Sequence, residues 1–115
     1  MTTPPKQTKA NAIIECALAI GNFYEVPADH IVSRLRQKGR RTQNARSLLT
    51  WHLYACGMSF DAIGRILGYS PNTVRRMESA GALSASTGAI KALVGILPRI
   101  PTTMTTTGVS PVTDA

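Results

Sequence analysis

The chain is 115 residues long and carries 13 Lys and Arg against 6 Asp and Glu, a formal net charge of +7. That length suits one modest domain, and that charge points to an anionic partner, nucleic acid ahead of an anionic membrane. A membrane role is disfavoured, because no apolar run approaches the roughly 20 residues of a spanning helix. The opening MTTPPKQTK lacks the apolar core of a secretory signal, so a cytoplasmic, nucleoid-associated location is expected. Cys16 and Cys56 are too few for a disulfide framework and read as buried thiols of a reducing compartment.

Residues 1–8, polar and with two prolines, read as a loose N-terminal arm. From Lys9 to Tyr24 the pattern is helical, with Ile13, Ile14, Ala17, Leu18, Ile20 and Tyr24 as a broad inner face. Val26-Pro27 breaks this helix. PADHIVSR then reads as a short second helix that starts at Pro27 and turns Ile31, Val32 and Leu35 inward.

The run RLRQKGRRTQNAR follows. No acidic residue lies between Asp29 and Asp61, while Arg34, Arg36, Lys38, Arg40, Arg41 and Arg46 all do. Gly39 makes the middle of the run a loop. A charge run is usually a solvated face, but this one has no acidic residues to balance it, which favours phosphate contact.

Thr42 is the expected cap of a long helix that ends before Gly57, with Ala45, Leu48, Leu49, His52, Leu53 and Cys56 on its inner face. Trp51 and Tyr54 fall toward the edges. Stacking on an unpaired base is the functional alternative for Trp51. His52 and Cys56, four apart, could ligate a metal with Cys16 and His30. Structural zinc sites pair close ligands in two places, so a boundary histidine beside a buried thiol is the preferred reading, with no metal and no cofactor.

The stretch SFDAIGRILGYSPNTVRRMES reads as two helices around a tight turn. Ser59 caps the first, Phe60, Ile63, Ile66 and Leu67 form its apolar stripe, and Gly68 supplies the reversal. Ser70 and Pro71 restart the chain as a cap and first helical residue. Val74 and Met77 face inward, which leaves Asn72, Thr73, Arg75 and Arg76 outside. Gly64, where helices must approach, then Gly68 and Val74 match the spacing of a DNA-binding helix-turn-helix. An ordinary helical hairpin would use the same spacing, yet has no need of an outer face without carboxylates before Glu78.

After Ala80 a further helix is expected within residues 81–97. Its stripe of Ile90, Leu93, Val94 and Leu97 either folds back on the core or joins a homodimer through residues 86–97. The threonine- and proline-rich segment 98–115 reads as a disordered tail. There is no Walker-type loop and no acidic pair for acid–base or two-metal chemistry, so no enzymatic activity is expected.

From about Ile20 to Ala80 the order of elements resembles the C-terminal DNA-binding domain of the bacterial replication initiator DnaA, within the Trp-repressor-like group. The resemblance rests on FYEVPADHIVSRLRQKGRR, on the long helix Thr42 to Cys56, on MSFDAIGRILG, similar to that family's S-L-x-E-I-G segment, and on Asn72-Thr73-Val74, similar to its T-T-V. Ser70, Pro71 and Asn72 replace the family's base-reading Asp-His-Thr, and the ATPase domain has no counterpart. The resemblance implies an all-α helix-turn-helix domain over residues 9–80 that docks on double-stranded DNA, without the initiator's target sequence.

On this reading Asn72 pairs with adenine, Arg75 or Arg76 with guanine, and Thr73 with phosphate or a thymine methyl. Arg34, Arg36, Lys38, Arg40, Arg41, Arg46 and Ser70 hold the backbone. A small regulator of transcription or replication, phage- or mobile-element-like, is the expected role. The DNA-binding subunit of a recombinase or transposase and a protein-interaction module are the alternatives.

Overall fold

A computed structural model describes residues 9–33 and 39–100. The expectations for Arg34, Leu35, Arg36, Lys38, the arm 1–8 and the tail from 101 onward lie outside the described residues. The described chain is all-α: α1 (Lys9–Tyr24), α2 (Ala28–Ile31), α3 (Arg40–Ala55), α4 (Phe60–Leu67), α5 (Pro71–Ala85) and α6 (Gly88–Ile96). No single described helix is long and apolar enough to cross a membrane.

The long helices α3 and α5 form the spine, with α1 against α3, α4 in the angle before α5, and α6 folded back against α5 and α1. Leu48, Leu49 and Leu53 of α3 meet Ile13, Cys16 and Ile20 of α1, Ile31 of α2, Ile63 and Leu67 of α4, and Val74 of α5 in one buried cluster. Where α3 and α5 cross, glycine is a requirement of space. A β-carbon at Gly81 would overlap the Ser47 carbonyl and lie 2.7 Å from Trp51 Cβ.

Three helices end alike. Glu25, Gly57 and Gly68 take positive φ of 61°, 108° and 77°. Beyond them the amides of Val26, Met58 and Tyr69 reach back to the carbonyls of Gly21, Leu53 and Gly64 at 2.9, 3.1 and 3.0 Å. This is the Schellman closure, which satisfies carbonyls that the helix leaves open. Glycine takes the left-handed residue at two of these ends, and glutamate at the third.

Several expectations change. On α1 the buried face is Ala12, Ile13, Cys16, Ala17 and Ile20, whereas Ile14 and Leu18 stay 49% and 52% exposed. The helix is apolar on most sides, so its pattern cannot choose a face. Helix α3 starts at Arg40 behind Gly39, and Thr42 is buried within its first turn instead of capping it. Helix α5 runs on to Ala85 across the expected boundary at residue 80.

The α6 stripe folds back on the core. Leu93 and Leu97 are buried, with Ile90 and Val94 packed beside them. The stripe expected either to pack or to dimerise is therefore already covered. Pro98, Arg99 and Ile100 continue as a packed strap, and Ile100 is only 2% exposed, so the start of the expected tail is part of the fold.

Candidate nucleic-acid interface

The α4–α5 corner is built by local chemistry. Ser59 Oγ accepts from the Ala62 amide at 3.1 Å, which satisfies one open donor of α4. Asp61 in the first turn suits the helix dipole and pairs with Arg65 at 2.8 Å. At Gly64 a β-carbon would overlap the Tyr69 carbonyl and touch Val74 Cγ2 at 3.4 Å. The two helices thus approach at Gly64, and fully buried Val74 fills the angle between them.

On α5 the buried stripe is Val74, Met77, Gly81 and Ala85. Asn72, Arg75 and Arg76 are exposed, and Thr73 is half-buried. Ser70 Oγ accepts from the Thr73 amide at 3.3 Å and lies 3.1 Å from Thr73 Oγ1. Both hydroxyls are thus engaged in capping the helix, in addition to the DNA contacts expected of Ser70 and Thr73.

The two arginines differ. The Arg75 guanidinium lies 5.7 Å from the centre of the Phe60 ring. Phe60 in turn stacks on exposed Tyr54, with centroids 4.4 Å apart and planes 13° from parallel. Arg76 is the next residue round the helix and projects with Asn72 one turn earlier, on the side away from Val74.

Arg40 and Arg41 sit in the first turn of α3, not in a loop. Both are exposed, and Arg41 pairs with Glu25 across 3.3 Å at the surface.

Arg46, expected on phosphate, requires a correction. It is fully buried. Its Nη1 donates to the His30 carbonyl at 3.0 Å, and its Nη2 to the carbonyls of Ser33 and Leu67, each at 2.8 Å. Its Cζ lies 5.0 Å from the Tyr69 ring centre. Burial lowers its pKa from the ordinary guanidinium value, and the neighbouring Tyr69 opposes that shift. The carbonyls it binds belong to the last turn of α2, the residue two beyond that helix, and the end of α4, where helices leave acceptors open. The run of cations gave no sign of this, because the acceptors lie 13 to 21 residues away in sequence.

His52, Cys56 and Cys16 all bond to the strap. Among the described residues no group of three His, Cys, Asp or Glu is placed to hold an ion. His52 Nε2 donates to the Pro98 carbonyl at 2.7 Å, and Cys16 Sγ donates to the same oxygen at 3.3 Å. Cys56 Sγ accepts from the Ile100 amide at 3.4 Å. Burial lowers the His52 pKa, opposed by the Pro98 carbonyl. Burial, with smaller help from Cys56 and Glu15, pushes the Cys16 thiol up to about 12. Such a thiol stays protonated and unreactive at neutral pH. The chain matches no family model, no curated protein and no solved structure.

Proposed function

We propose that the chain is a double-stranded-DNA-binding protein of the helix-turn-helix kind, in which α4 braces α5 and the first half of α5 enters the major groove. The observation that carries this reading is at Arg46. One guanidinium nitrogen binds both the Ser33 carbonyl, at the root of the cationic run, and the Leu67 carbonyl, at the root of α5. The residue that precedes the cationic run and the last residue of α4, just before the helix proposed to read bases, are therefore held by one nitrogen.

A second observation supports it. Arg40 and Arg41 stand at the positive end of the α3 dipole, where cations are disfavoured. A local conflict of this sort is expected where function demands it. In this reading Asn72 and Arg76 address base edges and Thr73 a phosphate or thymine methyl. Arg34, Arg36, Lys38, Arg40 and Arg41 hold the backbone, with Ser70 beside them. A role in transcription or replication, akin to the DnaA C-terminal domain and Trp repressor, follows as the biological proposal.

The test is binding to duplex DNA across a salt series. Five cations on phosphates give a slope of log affinity against log salt of about −4.5. A flat dependence overturns the reading. Selection from a random duplex pool then supplies the preferred site.

A further inference from the structure

We propose that Arg46 is the positioning residue of α5: by holding the α4–α5 turn against the end of α2, it fixes the direction in which Asn72 and Arg76 leave the protein. The inference rests on the DNA-binding reading, and its test separates the two.

The turn between α4 and α5 is only Gly68, Tyr69 and Ser70. Its inner side is set by Gly64 and Val74, and its outer side is held by Arg46. The guanidinium takes the Leu67 carbonyl just before the turn and lies against the Tyr69 ring within it. Its other bonds run to His30 and Ser33, in and just after α2. The turn is thereby tied by hydrogen bonds to α2, which otherwise meets α4 and α5 through apolar packing in the core.

The side chain suits the task. A planar fork can serve three carbonyls from different directions while one face rests on an aromatic ring. The ammonium of lysine is a compact charge that cannot reproduce that plane. The guanidinium leaves from the second turn of α3, the central helix, so its base is fixed by the same core that seats α5. Base discrimination depends on side chains placed within a fraction of an ångström. Phosphate attraction tolerates more. Loss of this anchor therefore affects selectivity before it affects affinity.

The test compares wild type with Arg46→Lys and Tyr69→Leu, the latter keeping the buried cation and removing the ring and hydroxyl beside it. Leu93→Ala, a core residue on α6 and outside the turn, serves as a control for general destabilisation. Each protein is titrated with the duplex selected by wild type and with the same duplex altered at one base pair, at a temperature where circular dichroism shows it folded. The expected result is that Arg46→Lys loses at least tenfold in the ratio of the two affinities and Tyr69→Leu loses part of it. Binding to the altered duplex should stay within about threefold, and Leu93→Ala should keep the wild-type ratio.

Wild-type ratios in both Arg46→Lys and Tyr69→Leu overturn the proposal, as does an equal loss in Leu93→Ala. If Arg46→Lys does not fold, the ratio in Tyr69→Leu decides. Failure of wild type to bind either duplex overturns the DNA-binding reading itself, and the positioning role with it.

Discussion

Arg75 lies over the ring of Phe60, 5.7 Å from its centre, and that ring is itself stacked on Tyr54. An aromatic column on the flank of α4 thus holds one of two adjacent arginines and leaves the other to project. A cation over a ring contributes about 0.5–1 kcal/mol at an exposed site, and a stacked pair about 0.5–1.5 kcal/mol beyond its area. Phe60→Leu should lower stability by about 1–2 kcal/mol in urea unfolding. In that background Arg75→Ala should cost less than in wild type, and an equal cost in both shows that the ring does not restrain the arginine.

The residues proposed to read bases and those proposed to hold phosphates should respond differently to alanine. Asn72→Ala or Arg76→Ala should relax preference at a single base pair, by about 1–3 kcal/mol. Arg40→Ala should weaken all duplexes alike and make the salt slope shallower by about one. Uniform losses in all three variants refute that division of labour.

Gly81 offers a test of the α3–α5 crossing. Alanine there gains about 1 kcal/mol of helix propensity. It also drives a methyl into the Ser47 carbonyl and toward Trp51 Cβ, which lies 2.7 Å from the new atom. Overpacking of this kind costs about 1–3 kcal/mol, and here the obstacle is backbone. Gly81→Ala should therefore show a lower urea midpoint, whereas a rise means that the crossing has room to spare.

Glu25 is the counter-case. A non-glycine residue in the left-handed region costs about 1–2 kcal/mol, and its exposed pair with Arg41 returns about 0–1 kcal/mol. Glu25→Gly should thus raise the thermal midpoint by a few degrees. A fall would show that the ion pair outweighs the backbone conformation.

The strap over His52 predicts a pH dependence. Burial holds the folded-state pKa of His52 below its ordinary 6.5. As pH falls through 6.5 the unfolded chain takes up a proton that the folded chain does not, so stability falls until the folded-state pKa is passed. Urea midpoints at about pH 7.5 and about pH 5.5 should differ in that direction. His52→Gln should flatten the difference, and an unchanged slope in that variant assigns the effect elsewhere.

The features legible in the sequence are those made by neighbours along the chain. Ser59, Gly68, Ser70 and Pro71 mark the ends of α4 and α5 through caps and turn geometry within four residues. Gly64 and Val74 declare their contact by size and spacing. The inner face of α1 was not legible, because apolar residues on most sides satisfy several packings. The role of Arg46 was least legible, since an arginine among arginines looks solvated until distant carbonyls converge on it. Likewise, nothing local tells that Pro98 will meet Cys16 and His52, 82 and 46 positions before it.

That last contact has a consequence for the order of assembly. The strap closes a loop of 82 residues between Cys16 and Pro98, and closure over so long a separation carries a large chain-entropy cost. A nascent chain has everything needed for the α3–α5 corner once Ala85 has left the ribosome. It cannot shield Cys16 and Cys56 until Ile100 has followed. The cover that the strap gives to buried Cys16 and half-buried Cys56 is accordingly added late in synthesis, and is lost when Pro98 to Ile100 peel away.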